Sequence, residues 1–418
     1  MSLRGFAANT FWFGLLQAFN HLPGLIVLPV VTRAFGPSIF GVLSTLLACG
    51  IYSTLIVDFG FNLTATAQTA RLGRDGDSLG ILLGRVLGAK SVLSLLGAMV
   101  FAGGVWFTGT AANYVLPAGA VFAQVIATSF TPIWLFQGIE RVRGVAIATG
   151  LCRVSAAVLI IRHVQSSEDL LFFTIVNASA AVTLLLASMI LLNGLRIRAV
   201  VPSLRESLAT AKSGFGVFGA TVAINLYTAS IVVIVGAILG TASAGVYALA
   251  DRVRQAVMGV MGPISLALYP FVCRIHTAGE TARESRQRRL LFYTLLSLAL
   301  ILSVALFVFA SLTTSLLGGE QFHGAIPVLK LFALLPVVIT ISNILGVQTM
   351  LPKGMHKEFI VVSVLSAFVG VSAVTILCGE EKLAGAAAGV VFTEAFAATM
   401  LAMLLHRRRL LRGVLCAD

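Results

Sequence analysis

The sequence predicts an all-α polytopic membrane protein with about twelve transmembrane helices, arranged as two six-helix bundles around a central cavity. Hydrophobic residues make up 58% of the 418-residue chain and charged residues only 11%, and the mean hydropathy is +1.00. A soluble domain usually carries about 25% charged residues. Twelve apolar runs are long enough to cross a hydrocarbon layer of about 30 Å, and only short connections separate them.

Six of these apolar runs precede a long basic connection and six follow it. No small-residue cleavage site interrupts the first run, so we expect it to remain as the first helix rather than to be removed as a signal peptide. The connection, residues 196–212, predicts an N-terminal bundle over residues 1–200 and a C-terminal bundle over residues 201–418. The runs lie at residues 11–31, 41–63, 79–107, 114–136, 145–161, 170–192, 215–239, 245–273, 290–317, 325–350, 359–378 and 383–405.

A weak internal repeat relates the two halves. The segment FGPSIFGV at residues 35–42 recurs as LGTASAGV at residues 239–246, an offset of 204 residues. Because each half has an even number of helices, both halves keep the same orientation, as in a parallel repeat about an axis normal to the membrane. In this register Asp251 aligns with Leu47, which lies inside an uninterrupted apolar run. The repeat therefore predicts that Asp251 lies at membrane depth.

The basic residues predict the orientation of the chain. With both termini in the cytoplasm, the inner segments hold twenty Lys and Arg residues, and the outer loops hold only Arg33, Arg162 and Lys382. Since cytoplasmic loops are enriched in basic residues, we expect both termini to be cytoplasmic. The net charge of +13 then reflects orientation and contact with membrane lipids, so nucleic acid is excluded as a partner. Three tryptophans near predicted helix ends are expected at the membrane interfaces: Trp12, Trp106 and Trp134.

Nine charged residues lie within the apolar runs. A charge near the bilayer centre costs about 3 kcal/mol on insertion scales, so each is a candidate functional residue. Six are basic and are the candidate ligands of a substrate in a cationic cavity: Arg85, Lys90, Arg153, Arg252, Arg254 and Lys330. Three are acidic and are candidates for charge pairing or ion coupling: Asp58, Asp251 and Glu394.

The densest group of these charges is Asp251, Arg252 and Arg254, near one end of the eighth run. At about 100° per residue, the two arginines lie on opposite sides of the carboxylate around the helix. The run from residue 255 to residue 273 is itself long enough to span, so the alternative is that the group lies outside the hydrocarbon. The repeat favours a position within the membrane.

The other basic residues differ in how easily they reach the headgroups. Arg153 lies twelve residues after Arg141, about 18 Å along a helix from the cytoplasmic side, and we expect it to face a cavity. Arg85 and Lys330 lie near helix ends, where extension of the side chain to the interface is the alternative. For Lys90, a position facing a cavity and extension of the side chain to the interface are equally good interpretations.

Basic residues outnumber acidic ones two to one within the runs, so some positive charge lacks an internal partner. A phosphate or diphosphate admitted to a hydrated cavity would complement that charge, because guanidinium groups offer such anions several fixed donors. A multidrug cation exporter would need the opposite excess. It remains an alternative, together with an integral-membrane enzyme of polysaccharide assembly.

An enzyme is the weaker of these interpretations. The acids of the outer loops lie in short connections, and the segment GRVLGAKS at residues 84–91 lacks the adjacent Gly-Lys of a phosphate-binding loop. The five cysteines are scattered singly, so no disulfide or metal spacing follows. A membrane scaffold would have no use for costly buried cations. We expect a transporter with no catalytic residue, no metal and no cofactor.

Three motifs resemble one family. They are WLFQGIERVR from Trp134, DFGFNLTATAQTARLGRD from Asp58, and TRAFGPSIFG from Thr32. The chain resembles Wzx-type polysaccharide flippases of the multidrug/oligosaccharidyl-lipid/polysaccharide exporter superfamily over nearly its whole length. GVYALADRV, which contains Asp251 and Arg252, is also similar to the family, where an acidic–basic pair is common at these positions. The family often has a basic residue after the ATAT-like segment, and here Ala67 and Gln68 stand in its place.

The resemblance implies a function and partners. A protein of this kind would flip undecaprenyl-diphosphate-linked oligosaccharide repeat units from the cytoplasmic to the periplasmic leaflet of the bacterial inner membrane by alternating access. Its product would serve O-antigen, capsule or exopolysaccharide biosynthesis. The implied partners are this lipid-linked oligosaccharide, membrane lipids, and the polysaccharide polymerase and chain-length regulator.

Overall fold

The computed structural model describes residues 3–73, 75–110, 113–278, 282–408 and 410. The chain divides into two compact units, Met1–Val222 and Ala223–Asp418. This division falls within a helix, 22 residues beyond the boundary expected from the basic linker. The assignment of one six-helix bundle to residues 1–200 and another to residues 201–418 stays a prediction.

All regular structure in the described residues is helical. Three short segments are not α-helical: Ser167–Asp169 and Glu320–Phe322 form 3-10 turns, and Gly346–Met350 forms a π-helical turn. The α-helices, in chain order, are α1 Leu3–Asp58, α2 Phe61–Leu72, α3 Gly76–Phe107, α4 Val115–Phe130, α5 Ile133–Gly138, α6 Arg143–His163, α7 Leu170–Gly194, α8 Leu204–Leu239, α9 Thr241–Ala278, α10 Ala282–Val308, α11 Ala310–Leu317, α12 Ala325–Phe332, α13 Leu335–Leu345 and α14 His356–Arg407.

Within the described ranges, nine helical segments are long and apolar enough to cross a membrane. One of them, Phe11–Leu72, has 62 residues and would be about 93 Å long as a straight helix, so it contains two of the expected spans. The seventh and eighth expected spans correspond to α8 and α9, where many side chains lie outside the described residues. The chain is an all-α polytopic membrane protein.

Two glycines in positive-φ conformations end helical segments at equivalent places of the internal repeat. Gly36 has φ 60° and interrupts α1 before Pro37, where the first expected span gives way to the second. Gly240 has φ 85° and separates α8 from α9. An L-residue at such a φ is strained, whereas glycine is not. The repeat with an offset of 204 residues thus places the same backbone break in each half.

The core of the first unit includes a residue that the sequence placed elsewhere. Trp134 was expected at the membrane interface, but its side chain is only 1% exposed and packs with Leu79, Leu83 and Phe136. The fourth span is divided at Pro132, and the short helix α5 that follows packs against α2. The interface prediction is therefore wrong for Trp134. Trp106, at 80% exposure, has the accessibility expected of an interfacial residue.

The segment after α7 packs against α3 within the first unit. The backbone N–H of Val200 donates a hydrogen bond of 3.1 Å to the carbonyl of Gly80. The carbonyl groups of Arg198 and Val200 lie so close to Gly80 and Gly84 that a Cβ atom at either glycine would collide with them. Residues 196–202 therefore form a docked part of the first unit rather than a free tether.

Candidate functional site

The first unit holds a buried ion pair. The ammonium group of Lys90 on α3 donates to Oδ1 of Asp58 at 2.8 Å and to the backbone carbonyl of Ser129. The side chain of Lys90 is 1% exposed and that of Asp58 is 21% exposed. Asn62 donates to the second carboxylate oxygen of Asp58 at 3.1 Å. Lys90 therefore does not extend to the headgroups, and its charge is satisfied inside the protein.

Helix ends supply both acceptors of Lys90. Asp58 is the last residue of α1, and the chain turns there through Phe59 and Gly60, both with positive φ. Ser129 lies one residue before the end of α4. Pro132 cannot donate a backbone hydrogen bond, and the N–H of Ile133 turns to Thr131, which leaves the Ser129 carbonyl to Lys90. A cation at the C-terminal end of a helix is favourable.

The second unit holds a cluster on α9. Nε of Arg254 donates to Oδ1 of Asp251 at 2.8 Å, and its Nη2 lies 2.6 Å from the same oxygen. Gln255 donates to the other oxygen, Oδ2, at 2.7 Å. The carboxylate was expected between two guanidiniums, and of these it is Arg254 that contacts it directly. Arg252 interacts with Asp251 electrostatically.

Two of the residues that interact with Arg254 lie well inside other apolar spans. Its guanidinium carbon lies 5.9 Å from the ring centroid of Phe332, the eighth residue of the span Ala325–Met350. Tyr247 packs edge-on against the same ring at 5.7 Å. Glu394, which interacts electrostatically with Arg254, is the thirteenth of 26 residues in the span Lys382–Arg407. Asp251 on α9 and Glu394 on the last span thus both act electrostatically on Arg254.

Arg153 on α6 has a different environment. It makes no hydrogen bond or ion pair among the described residues, and its side chain is partly buried. The guanidinium of Arg143 lies 5.4 Å from the ring of Trp12, and Phe19 packs against Gly150. Both contacts join residues 131 apart, so α1 and α6 run parallel in a fixed register. That register places Arg153 level with residue 22, in the middle of the first expected span.

Two further candidates, Arg85 and Lys330, make other contacts. Arg85 on α3 donates to Glu206 at the start of α8, 2.8 Å away. The backbone N–H of Ser203, then the Arg85 guanidinium and the Ser203 hydroxyl, lower the pKa of Glu206 from 4.5 to about 2. The ammonium of Lys330 is exposed and lies 5.5 Å from the ring centroid of Phe307. Within the first unit, Arg85 and Lys90 thus have different carboxylate partners, Glu206 and Asp58.

Some partners of these cations could have been predicted from local spacing in the sequence, and others could not. Gln255 stands four residues after Asp251, a spacing that brings two side chains together on one helix face. Ser203 and Glu206 form the Ser-x-x-Glu pattern of a helix N-terminus. Phe332 and the carbonyl of Ser129 carry no such local signal. Among the described residues, no three His, Cys, Asp or Glu side chains are grouped so as to hold a metal ion.

Comparison with known proteins identifies the family. Residues 6–276 match the model of the family described as "Polysaccharide biosynthesis protein". A protein of Escherichia coli (strain K12) named "Putative O-antigen transporter" is 27% identical over 409 residues, which is 96% of this chain and 97% of that protein. A protein of the same name from Shigella dysenteriae is 23% identical over 360 residues, 85% of this chain and 88% of that protein.

Solved structures show the fold. An inward-facing multidrug resistance MATE family transporter of the MOP superfamily has a TM-score of 0.66 at 13% identity, over 95% of each chain. The lipid II flippase MurJ has a TM-score of 0.67 at 10% identity, over 96% of this chain and 89% of that one. Together with the apolar helices of the described residues, these matches show that the chain has the all-α membrane fold of these two proteins. The chain belongs to the polysaccharide biosynthesis protein family.

Proposed function

We propose that this transporter flips undecaprenyl-diphosphate-linked oligosaccharide repeat units from the cytoplasmic to the periplasmic leaflet of the bacterial inner membrane. It would do so by alternating access of two six-helix bundles, in O-antigen, capsule or exopolysaccharide biosynthesis. The lipid-linked oligosaccharide would be passed to a polysaccharide polymerase and its chain-length regulator, and both termini would lie in the cytoplasm. Relatives named as O-antigen transporters support this assignment.

The observation that carries the proposal is that the Arg153 guanidinium makes no hydrogen bond or ion pair with any residue that the structure describes. It lies about 15 Å from the start of α6, ten residues after Arg143. A guanidinium that far into a span is costly unless an anion or water meets it. A diphosphate provides several acceptor oxygens in the geometry that arginine prefers. We assign Arg153 as the principal ligand of the diphosphate.

Arg252 and Arg254 supply the corresponding charges of the second unit. Arg254 is held by Asp251 and lies near Glu394, so that it can exchange a carboxylate partner for a phosphate oxygen without being left uncompensated. We assign Asp251 and Glu394 to charge pairing or ion coupling during the transport cycle. Asp58 has the same role toward Lys90 in the first unit.

The test replaces Arg153, Arg252 and Arg254 singly with Gln. Each variant should lower transport at least tenfold, since a charge-assisted contact to phosphate is worth about 1.5–3 kcal/mol. The readout is surface glycan in cells that lack their own flippase, together with accumulation of the lipid-linked repeat unit and the amount of variant in the membrane. Arg162→Gln is the matched control, because Arg162 lies on the same helix as Arg153 but is exposed near its outer end.

Normal glycan export by Arg153→Gln at an unchanged membrane level would refute the proposed role of the cationic site. Restoration of drug resistance in a hypersensitive strain, without glycan export, would instead support the cation antiporter.

A further inference from the structure

The first unit contains a cavity of about 790 Å³ that the transport proposal does not use. It lies between the end of α2, the first turns of α3 and the first turns of α8. Two guanidiniums line it, those of Arg71 and Arg85, and one carboxylate, that of Glu206. Arg71 is exposed and makes no hydrogen bond or ion pair among the described residues. The charged side chains lining the cavity therefore carry a net positive charge.

The rest of the wall is partly apolar. Leu72, Ile81 and Leu82 line the cavity beside the charged groups, and Leu72 and Ile81 are each 41% exposed. A free inorganic anion would gain no binding energy from contact with these apolar side chains. A molecule with a phosphate at one end and hydrocarbon at the other matches both parts of it.

The position of the cavity along α3 agrees with this chemistry. The helix has 32 residues and is about 48 Å long, which exceeds the hydrocarbon thickness by about 18 Å. Trp106 is 80% exposed, and in the predicted orientation we expect it at the outer interface, where indole rings collect. About 20 residues toward the N-terminus the helix leaves the hydrocarbon, close to Arg85. In the orientation predicted from the basic residues, the cavity is thus expected at the level of the headgroups of the opposite, cytoplasmic leaflet.

The Glu206 carboxylate currently takes the place of an anion at Arg85. Its Oε1 accepts from Arg85 at 2.8 Å, while its Oε2 accepts from the N–H and hydroxyl of Ser203, each at 2.9 Å. A phosphate that replaces Oε1 at Arg85 leaves the contacts with Ser203 in place. The exchange therefore needs no unfolding of α8, and both guanidiniums could turn to the new ligand.

We propose that this cavity binds the phosphate of an anionic glycerophospholipid from the cytoplasmic leaflet, with Arg71 and Arg85 as its ligands and Glu206 as an intramolecular competitor. The site is separate from the one assigned to the transported molecule and does not depend on what that molecule is. A bound lipid would hold the end of α2, the start of α3 and the linker helix together at the membrane surface.

The experiment measures lipid retention by native mass spectrometry, on the full-length chain purified in a neutral detergent and titrated with phosphatidylglycerol. Arg71→Gln and Arg85→Gln should each weaken binding about fivefold, the effect of one basic residue at an anionic surface. Glu206→Gln should strengthen binding, because the competing carboxylate is removed. Arg205→Gln is the matched control: it changes the same charge one residue from Glu206, and Arg205 is exposed and does not line the cavity.

The outcomes separate the possible ligands. Phosphatidylcholine should bind more weakly than phosphatidylglycerol, and inorganic phosphate at the same concentration should not displace the lipid. Equal binding of the two lipids, or displacement by inorganic phosphate, would overturn the proposal. An equal loss in Arg205→Gln and Arg71→Gln would also overturn it, since it would show a diffuse surface charge in place of a site. Because Glu206→Gln must bind more tightly, a folding defect in the arginine variants cannot be mistaken for support.

Discussion

Lys90 shows how one buried cation links two helix ends to the middle of a third helix. Its ammonium joins the last residue of α1, the middle of α3 and the end of α4 through Asp58 and the carbonyl of Ser129. A buried charge without a partner costs several kcal/mol, whereas the pair as a whole contributes little relative to apolar residues of similar size. The ion pair therefore mainly determines which packing arrangement of these helices can form. It adds little to the stability of that arrangement.

This argument predicts a non-additive pair of mutations. Asp58→Asn should destabilise the protein by about 3 kcal/mol, because it leaves the Lys90 ammonium buried without a carboxylate. Lys90→Met alone should cost less, since Asp58 keeps some access to water and the Asn62 amide. The double variant should be more stable than Asp58→Asn. Thermal unfolding of the purified protein in detergent measures all three, and strictly additive effects would contradict the proposed coupling.

Local spacing predicted some of the site and could not have predicted the rest. The Asp251–Arg254 pair follows from a separation of three residues on one helix. By contrast, Arg85 and its partner Glu206 are 121 residues apart, and Lys90 and Asp58 are 32 apart. Those contacts depend on which helices pack together, which one sequence does not specify. Arg153 was singled out by its depth alone, and its role stays a prediction.

At the scale of elements, the start of α3 packs directly against the backbone of another segment of the chain. Glycines recur every fourth residue at its start, so they share one face of the helix. Gly80 and Gly84 meet the carbonyls of Arg198 and Val200 directly. The same stretch also carries Arg85, which pairs with Glu206 just beyond the docked segment. The linker is thereby fixed to the first unit along its length.

Two glycine substitutions on this helix should have opposite effects. Gly84→Ala places a Cβ atom against the Val200 carbonyl, and we expect a loss of about 1–3 kcal/mol from overpacking. Gly103→Ala meets no atom within 4 Å and should stabilise the helix by about 0.5–1 kcal/mol, because alanine restricts the unfolded chain. Thermal unfolding of both variants gives the comparison. If both substitutions changed the stability equally, contact with the docked linker would not be the cause of the loss in Gly84→Ala.

At the scale of the whole molecule, the apolar runs predicted the architecture well and the interruptions within it poorly. Runs of apolar residues specify spans because the bilayer demands internally satisfied backbone. They do not specify where a span breaks. The fourth span is divided at Pro132, and the tenth is divided into α12 and α13 and ends in a π-helical turn. Pro132 gave a signal for the first break, yet nothing local indicated that Trp134 would turn into the core.

The orientation of the whole chain rests on twenty basic residues against three, and it can be tested at two exposed positions. In a cysteine-free background, Gln165→Cys lies in the predicted outer loop after α6, and Leu204→Cys lies in the predicted inner connection; both residues are exposed. A membrane-impermeant maleimide should label position 165 in cells whose outer membrane alone is permeabilised, and position 204 only after the inner membrane is opened. The reverse pattern would place Arg71 and Arg85 at the wrong leaflet and exclude a cytoplasmic lipid there. Because the labelling readout needs no transport activity, it separates an error of topology from an error in the assigned substrate.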